Sequence, residues 1–337
     1  MPGFSLLRYL ARTVLSLAVV LGVAAAALWW WLGRPLALPV SPYPLEVRPG
    51  ATLASVARKL ADDGVIAHPL LLSGLARVRG VDRSIKAGQY EFEGTLDVAG
   101  LLAKLTQGDV TQSSITFVEG TTAGELLRRV AGEPTLGHAL AGRSESEVAA
   151  ALSIDAPSLE GQFFPDTYFY AAGSADRTVL ARAHRTLKER LDAAWARRAP
   201  GLPLATPYEA LILASIVEKE TGRPSDRPMI ASVFVNRLKR GMRLQTDPTV
   251  IYGLGDAFDG NLRKRDLETD TPYNTYTRDG LPPTPIALPS QGALDAVVDP
   301  PASPFLYFVS RGDGTSEFSA TLADHNRAVS RYQKAPK

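Results

Sequence analysis

Two glutamates, Glu218 and Glu220, close a run of eight uncharged residues, Ala210 to Val217, that is apolar or small on every face of a helix. Thr206 at the N-cap, Pro207 at the first helical position and Glu209 at the third mark where this helix starts, and Gly222 marks where it stops. A carboxylate in the last turn of a buried helix meets the negative end of the helix dipole and is partly removed from water. Both effects raise its pKa, which suits a general acid. Glu218 continues the buried stripe of Leu211, Ala214 and Ser215. Glu220 lies about 200° around the axis from it, so the spacing does not let the two serve one site. The structural reading of the same residues is that Glu218 pairs with an arginine such as Arg237 or Arg243.

Downstream, Met229 to Leu238 reads as a second apolar helix ending at Gly241. It is followed by a polar loop, Met242 to Thr249, that contains Gln245 and Asp247. Tyr273-Asn274-Thr275-Tyr276 adds two aromatic rings and an amide ahead of the proline-rich Leu281 to Pro285. Aromatic rings beside amides and carboxylates are a palette for binding sugars, although the same residues also make ordinary loop contacts.

Other chemistries are excluded by composition. The chain has no cysteine, which removes thiolate nucleophiles, disulfides and Cys-based zinc sites. Its four histidines, His68, His138, His184 and His325, include no pair at i, i+4, so no metal site is expected. His325, within Asp324-His325-Asn326, reads as a packing or capping residue. The 37 Lys+Arg against 35 Asp+Glu leave a net charge of +2, too small a field to draw the chain onto nucleic acid. Gly253-Leu254-Gly255 lacks the third glycine of a dinucleotide fingerprint, and there is no P-loop.

The elements that position these residues follow from periodicity. Positions 13–32 carry no charge over 20 residues, long enough for a helix to cross a bilayer, and end in Trp29-Trp30-Trp31. A cleaved signal peptide, with Ala24, Ala25 and Ala26 as small residues near the cut, is the competing reading. Arg8 and Arg12 ahead of the span place the amino terminus in the cytoplasm and the rest of the chain outside. Pro35, Pro39, Pro42 and Pro44 read as a stiff spacer. Then come a strand at Leu45-Glu46-Val47, a helix capped by Thr52, a second near Pro69 to Val78, a strand Gly88 to Phe92, and a helix with Val98, Leu101, Leu102 and Leu105 on one face. The turn and capped helix at Gly50-Ala51-Thr52 recur at Gly120-Thr121-Thr122, and a long helix is expected from about Asp176 to Arg198.

Several collinear runs carry a specific resemblance. They are Leu159-Glu160-Gly161 with Phe164 to Tyr168, Leu213 to Thr221, Ser232 to Leu238, Met242 to Tyr252, and Tyr273 to Tyr276. On these the chain resembles the endolytic murein transglycosylases of the YceG-like (MltG) family. The resemblance implies an α+β fold: one N-terminal transmembrane helix, a small LysM-like βααβ module and a larger mixed α+β catalytic domain. The corresponding boundaries are a cytoplasmic end at 1–12, the span at 13–32, a spacer at 33–44, the module at 45–110 and the catalytic domain at 111–337.

It further implies a lytic transglycosylase of the cytoplasmic membrane with its catalytic domain facing the periplasm or cell exterior. Such an enzyme cuts the β-1,4 bond between N-acetylmuramic acid and N-acetylglucosamine in nascent strands and leaves 1,6-anhydro ends, without metal or cofactor. The implied catalytic residue is Glu218, with Gln245, Asp247, Tyr273, Asn274 and Tyr276 contacting glycan; the implied partners are peptidoglycan strands, the membrane and a peptidoglycan synthase. The chain departs from the family pattern at Thr284 and at Leu288-Pro289-Ser290, which loosens any role for the 281–290 loop. Two alternatives stay open: a hydrolase of the same bond with Asp247 or Asp166 as second carboxylate, and a non-catalytic peptidoglycan-binding scaffold.

Overall fold

The computed structural model describes residues 3–41, 43–48, 50–108 and 112–333. The chain divides into two compact units, Met1–Ser113 with Tyr170–Ser174, and Ser114–Phe169 with Ala175–Lys337.

The first unit opens with helix α1 (Gly3–Leu32). Side chains at 3–13, 24, 25 and 28 are outside the description, and among the described residues no helix is long and apolar enough to cross a membrane. Strand β1 (Tyr43–Val47) pairs antiparallel with β2 (Gly88–Phe92), Leu45 opposite Tyr90. Between them lie α2 (Leu53–Asp62) and α3 (Pro69–Val78), and α4 (Val98–Gln107) follows. The alternation of β1 turns Tyr43, Leu45 and Val47 inward. They meet Leu60, Leu72, Tyr90, Phe92, Leu101 and Leu105, all nearly without exposure, so every element contributes its apolar face to one core. The strand–helix–helix–strand order with an added helix matches the periodicity.

The stretch read as a free spacer is partly docked on this core. The Leu36 N–H donates to the Leu96 carbonyl at 2.7 Å, and Leu36 and Leu38 pack against the cluster. Apolar leucines between the prolines override the stiffness that the prolines alone suggest.

The second unit is built around α8 (Pro207–Glu220). Every residue from Ala210 to Glu218 is buried, beneath α7 (Asp176–Ala196), α9 (Arg227–Lys239) and α12 (Gln291–Val298). A helix apolar on all faces requires this complete cover. The sequence also contains β3 (Gln112–Thr116) paired with β4 (Thr167–Ala171), α5 (Ala123–Ala131) and α6 (Glu145–Leu152). After α9 come α10 (Asp247–Leu254) and the short α11 (Lys264–Glu268). The chain then passes α12 to the antiparallel hairpin β5 (Tyr307–Ser310) and β6 (Ser316–Ser319) and to α13 (Leu322–Tyr332).

Thr52 and Thr122 both close capping boxes, each two residues after a glycine of positive φ, so the faint repeat is one turn used twice. Gly161 is a different case. A Cβ built there would stand 2.6 Å from the Pro285 Cβ, so the 160s and 280s loops can approach only because that side chain is absent.

Candidate active site

The two glutamates at the end of α8 diverge, as two residues about 200° apart on a helix must. Glu218 points inward. Its Oε1 receives the Arg227 Nη2 at 2.7 Å, and its Oε2 accepts from the Ser290 N–H at 3.0 Å and from the Ser290 hydroxyl. Arg227 opens α9 and also stands 3.6 Å from Glu119. The Glu218 side chain keeps 5% of its surface exposed and Arg227 10%, so this is a buried pair satisfied by donors from three directions. The arginine is neither Arg237 nor Arg243.

Glu220 faces a cavity of about 540 Å³ together with Arg237, Gln245, Asp247, Tyr276, Tyr307 and His325. Burial pushes its carboxyl up to about 7, with the negative charge of Asp247 acting in the same direction. Two groups oppose that shift: the Thr246 hydroxyl, which hydrogen-bonds Glu220 Oε1, and the Arg237 guanidinium. Glu220 therefore keeps its proton near neutrality and has stabilising partners when it loses it. Glu218, the residue expected to be the proton donor, thus has both oxygens bonded to Arg227 and Ser290, whereas Glu220 lines the cavity with its pKa raised by burial.

Arg237 holds the cavity wall in shape. From α9 its Nε donates to the Leu306 carbonyl at 2.6 Å, and its Nη1 to the Leu244 carbonyl at 2.8 Å and to Gln245 Oε1 at 3.3 Å. These bonds tie the loop before α10 to the approach to β5. Gln245 adopts φ 51, a left-handed conformation that a residue with a side chain enters at a cost. It is held there by Arg237 and by its own N–H to the Thr275 carbonyl at 3.1 Å. On the opposite wall the Tyr307 ring stacks on His325, centroids 5.3 Å apart, with Arg237 over the same ring at 5.1 Å. Burial and the nearby Arg237 charge lower the His325 pKa, which keeps the imidazole neutral.

The sequence-named residues thus separate into groups. Gln245, Asp247 and Tyr276 share the cavity with Glu220, and the Tyr276 hydroxyl donates to Asp247 Oδ1 at 2.5 Å. Asp247 is the first residue of α10 rather than a loop residue; Pro248 in the first turn is the start signal behind it. Asn274 is fully buried. Its Nδ2 donates to the carbonyls of Asp266, Leu267 and Thr269, and its Oδ1 accepts from the Tyr276 N–H at 2.8 Å, so it latches the loop rather than facing a ligand.

Tyr273 lies elsewhere, with its hydroxyl 2.8 Å from Thr284 Oγ1, lining a second cavity. Asp166 is an exposed residue that binds its neighbour's N–H. Sequence reasoning missed Arg227 and Ser290 as the partners of Glu218, and Arg237 as the organiser of the wall. Only the buried helix register of α9 could have singled out its two arginines. Among the described residues no group of three or more His, Asp or Glu is placed to hold a metal ion.

Residues 45–331, which include all of these groups, match the YceG-like family. The chain belongs to the YceG-like family. An endolytic murein transglycosylase of Bacillus subtilis (strain 168) is 29% identical over 306 residues, 86% of this chain and 84% of that protein. An endolytic murein transglycosylase of Streptococcus pneumoniae (serotype 2, strain D39) is 26% identical over 317 residues, 84% of this chain. The chain spans 57% of the length of that relative. A crystal structure of a yceG-like protein from Listeria monocytogenes superposes with a TM-score of 0.52 at 28% identity, covering 84% of this chain and 97% of that one. This YceG-like protein therefore shares its mixed α+β architecture with a solved relative.

Proposed function

We propose that this chain is an endolytic peptidoglycan lytic transglycosylase whose acid–base group is Glu220. The observation that carries the reading is Glu220 itself, a carboxyl raised by burial to about 7 that lines a cavity with hydroxyl, amide, carboxylate and aromatic groups. The names of the Bacillus and Streptococcus relatives supply the substrate class. A glycosidase that uses water needs two carboxyl groups with divided roles. A transglycosylase can use one twice. Glu220 gives its proton to the glycosidic oxygen as the C1–O bond breaks and an oxocarbenium-like centre forms. The carboxylate, held by Thr246 and Arg237, then takes the proton of the sugar's own C6 hydroxyl, and O6 closes on C1 to give the 1,6-anhydro ring. Gln245, Asp247 and Tyr276 orient the ring, and neutral His325 presents a hydrogen-bonding edge to it.

The same reading places the chain in the cytoplasmic membrane through the uncharged segment at 13–32, with the catalytic unit outside, where the substrate is made. The strand–helix–helix–strand module acts as a LysM-like glycan-holding unit, and a peptidoglycan synthase that feeds nascent strands is the partner. Support for the anchor is the length and lack of charge of that segment and the arginines before it.

Asp247 in the same cavity favours a second reading, a hydrolase that uses it as base. The test is to incubate the full-length chain in detergent with uncrosslinked strands and identify the products by mass spectrometry. Anhydromuramyl ends support the transglycosylase, reducing ends the hydrolase, and an absence of cleavage a scaffold.

A further inference from the structure

A second cavity, of about 760 Å³, is lined by the start of α5, by α10 and by the turn that follows α10. The two cavities flank the same pair of elements. Glu220 lines the first and its neighbour Lys219 the second; Asp247 at the head of α10 lines the first, and Ile251 and Tyr252 one turn later line the second.

The lining of the second cavity differs in kind from the first. Its floor is apolar, from Ile251, Ile286, Tyr252 and Tyr273. Most of the charges around it are already engaged within the fold. Glu125 closes the capping box of α5, and Glu145 accepts from the Ser158 hydroxyl at 2.7 Å and the Leu159 N–H at 2.6 Å. Glu160 accepts from the Ala123 N–H at 2.9 Å and from the Tyr252 hydroxyl, and Lys219 Nζ donates to the Gly120 carbonyl. Two charges of opposite sign, Arg128 and Asp256, are left without an ion pair or hydrogen bond among the described residues.

A neutral sugar has no use for a free cation and a free anion across an apolar floor. A short peptide that carries both a carboxylate and an amine does, and an uncrosslinked peptidoglycan strand carries such a peptide on each muramic acid. We propose that the second cavity binds this stem peptide, its carboxylate on Arg128, its amine on Asp256 and its aliphatic side chains on Ile251 and Ile286. The inference rests on the transglycosylase reading for its substrate and deepens it: the enzyme selects strands that still bear uncrosslinked peptides.

Arg128 and Asp256 are both exposed, so reversing either charge leaves the core intact. The full-length chain and its Arg128→Glu and Asp256→Lys variants are assayed on uncrosslinked strands with peptides and on the same strands stripped by an amidase. The expected result is a KM raised roughly tenfold by either reversal on peptide-bearing strands, the size of one charge-assisted contact, with kcat unchanged and stripped strands unaffected. An equal effect on both substrates would make the cavity a further sugar subsite, and no effect on either would leave it without this ligand; both overturn the proposal. Titration of the free stem peptide into the unaltered chain and into Arg128→Glu, read by calorimetry, is independent of cleavage. If no strand is cut but the peptide binds and the reversal abolishes binding, the activity reading fails while the site stands.

Discussion

Arg227 Nη2 meets Glu218 Oε1 at 2.7 Å in the interior of the second unit, while Glu220, one residue beyond Lys219, opens onto a cavity. The last turn of one helix thus carries two carboxyls to which the proposed mechanism gives separate duties: one bonds α9 and the Ser290 turn to α8, and the other exchanges a proton.

Substitution separates these duties. Glu220→Gln abolishes anhydro-end formation without lowering the unfolding midpoint. Glu218→Gln leaves a buried guanidinium with only the more distant, half-exposed Glu119 as charge partner and lowers stability by about 3 kcal/mol. Product analysis together with denaturant unfolding reads both. An inactive but fully stable Glu218→Gln, beside an active Glu220→Gln, would return the acid role to Glu218.

The pH dependence has a defined sign. Only protonated Glu220 can donate to the glycosidic oxygen, and its pKa of about 7 means that kcat falls as pH rises through neutrality, tenfold per unit well above it. Thr246→Val removes a hydrogen bond that favours the carboxylate, so the midpoint of that fall moves to higher pH. A profile of kcat against pH on a soluble glycan checks both statements, and a midpoint near 4.5, the ordinary value for a glutamate, would contradict them.

Glu160 makes stability itself depend on pH. Burial raises its pKa from 4.5 to about 7, so between those values the folded chain holds a proton that the unfolded chain has released. Stability contributed by that proton is complete below the lower value and lost as pH rises through the upper one. Glu160→Gln, which cannot ionise, flattens this part of the stability curve and gains on the order of 2 kcal/mol over the unaltered chain at pH 8. Urea unfolding at pH 5 and pH 8 measures the difference.

Gln245 stores strain beside the site. Gln245→Gly relaxes a left-handed backbone and raises stability by up to about 1 kcal/mol, yet it removes the amide that faces the cavity and lowers kcat/KM. Parallel thermal unfolding and kinetics should move in opposite directions.

Much of the frame was legible because local signals agreed with tertiary demand. Thr52, Thr122 and Thr206 cap where the spacing places them, and the all-apolar run from Ala210 to Val217 is the buried centre of its unit. The partners of Glu218 were not legible. Helical phase put Glu218 on the inner stripe, but phase says nothing of which inner carboxyl meets a counter-charge; Arg227 reaches Glu218 from the next helix and Ser290 from 72 residues downstream. Asn274 looked like a glycan contact because amides bind sugars, and only the three carbonyls that converge on its Nδ2 reveal a latch. His325 reads as a packing residue and does stack on Tyr307, but nothing near it in the sequence announces that it also lines the cavity with Glu220.

That shared wall sets an order of events in biosynthesis. Leu322, His325 and Val329 of α13 close the cavity opposite Glu220 and are made after everything else that lines it, apart from Gln333. A growing chain holds its acid long before it holds the surface that shields that acid and orients a strand. A chain cut short before Leu322 would therefore keep Glu220 and lose the part of the cavity lining that α13 supplies.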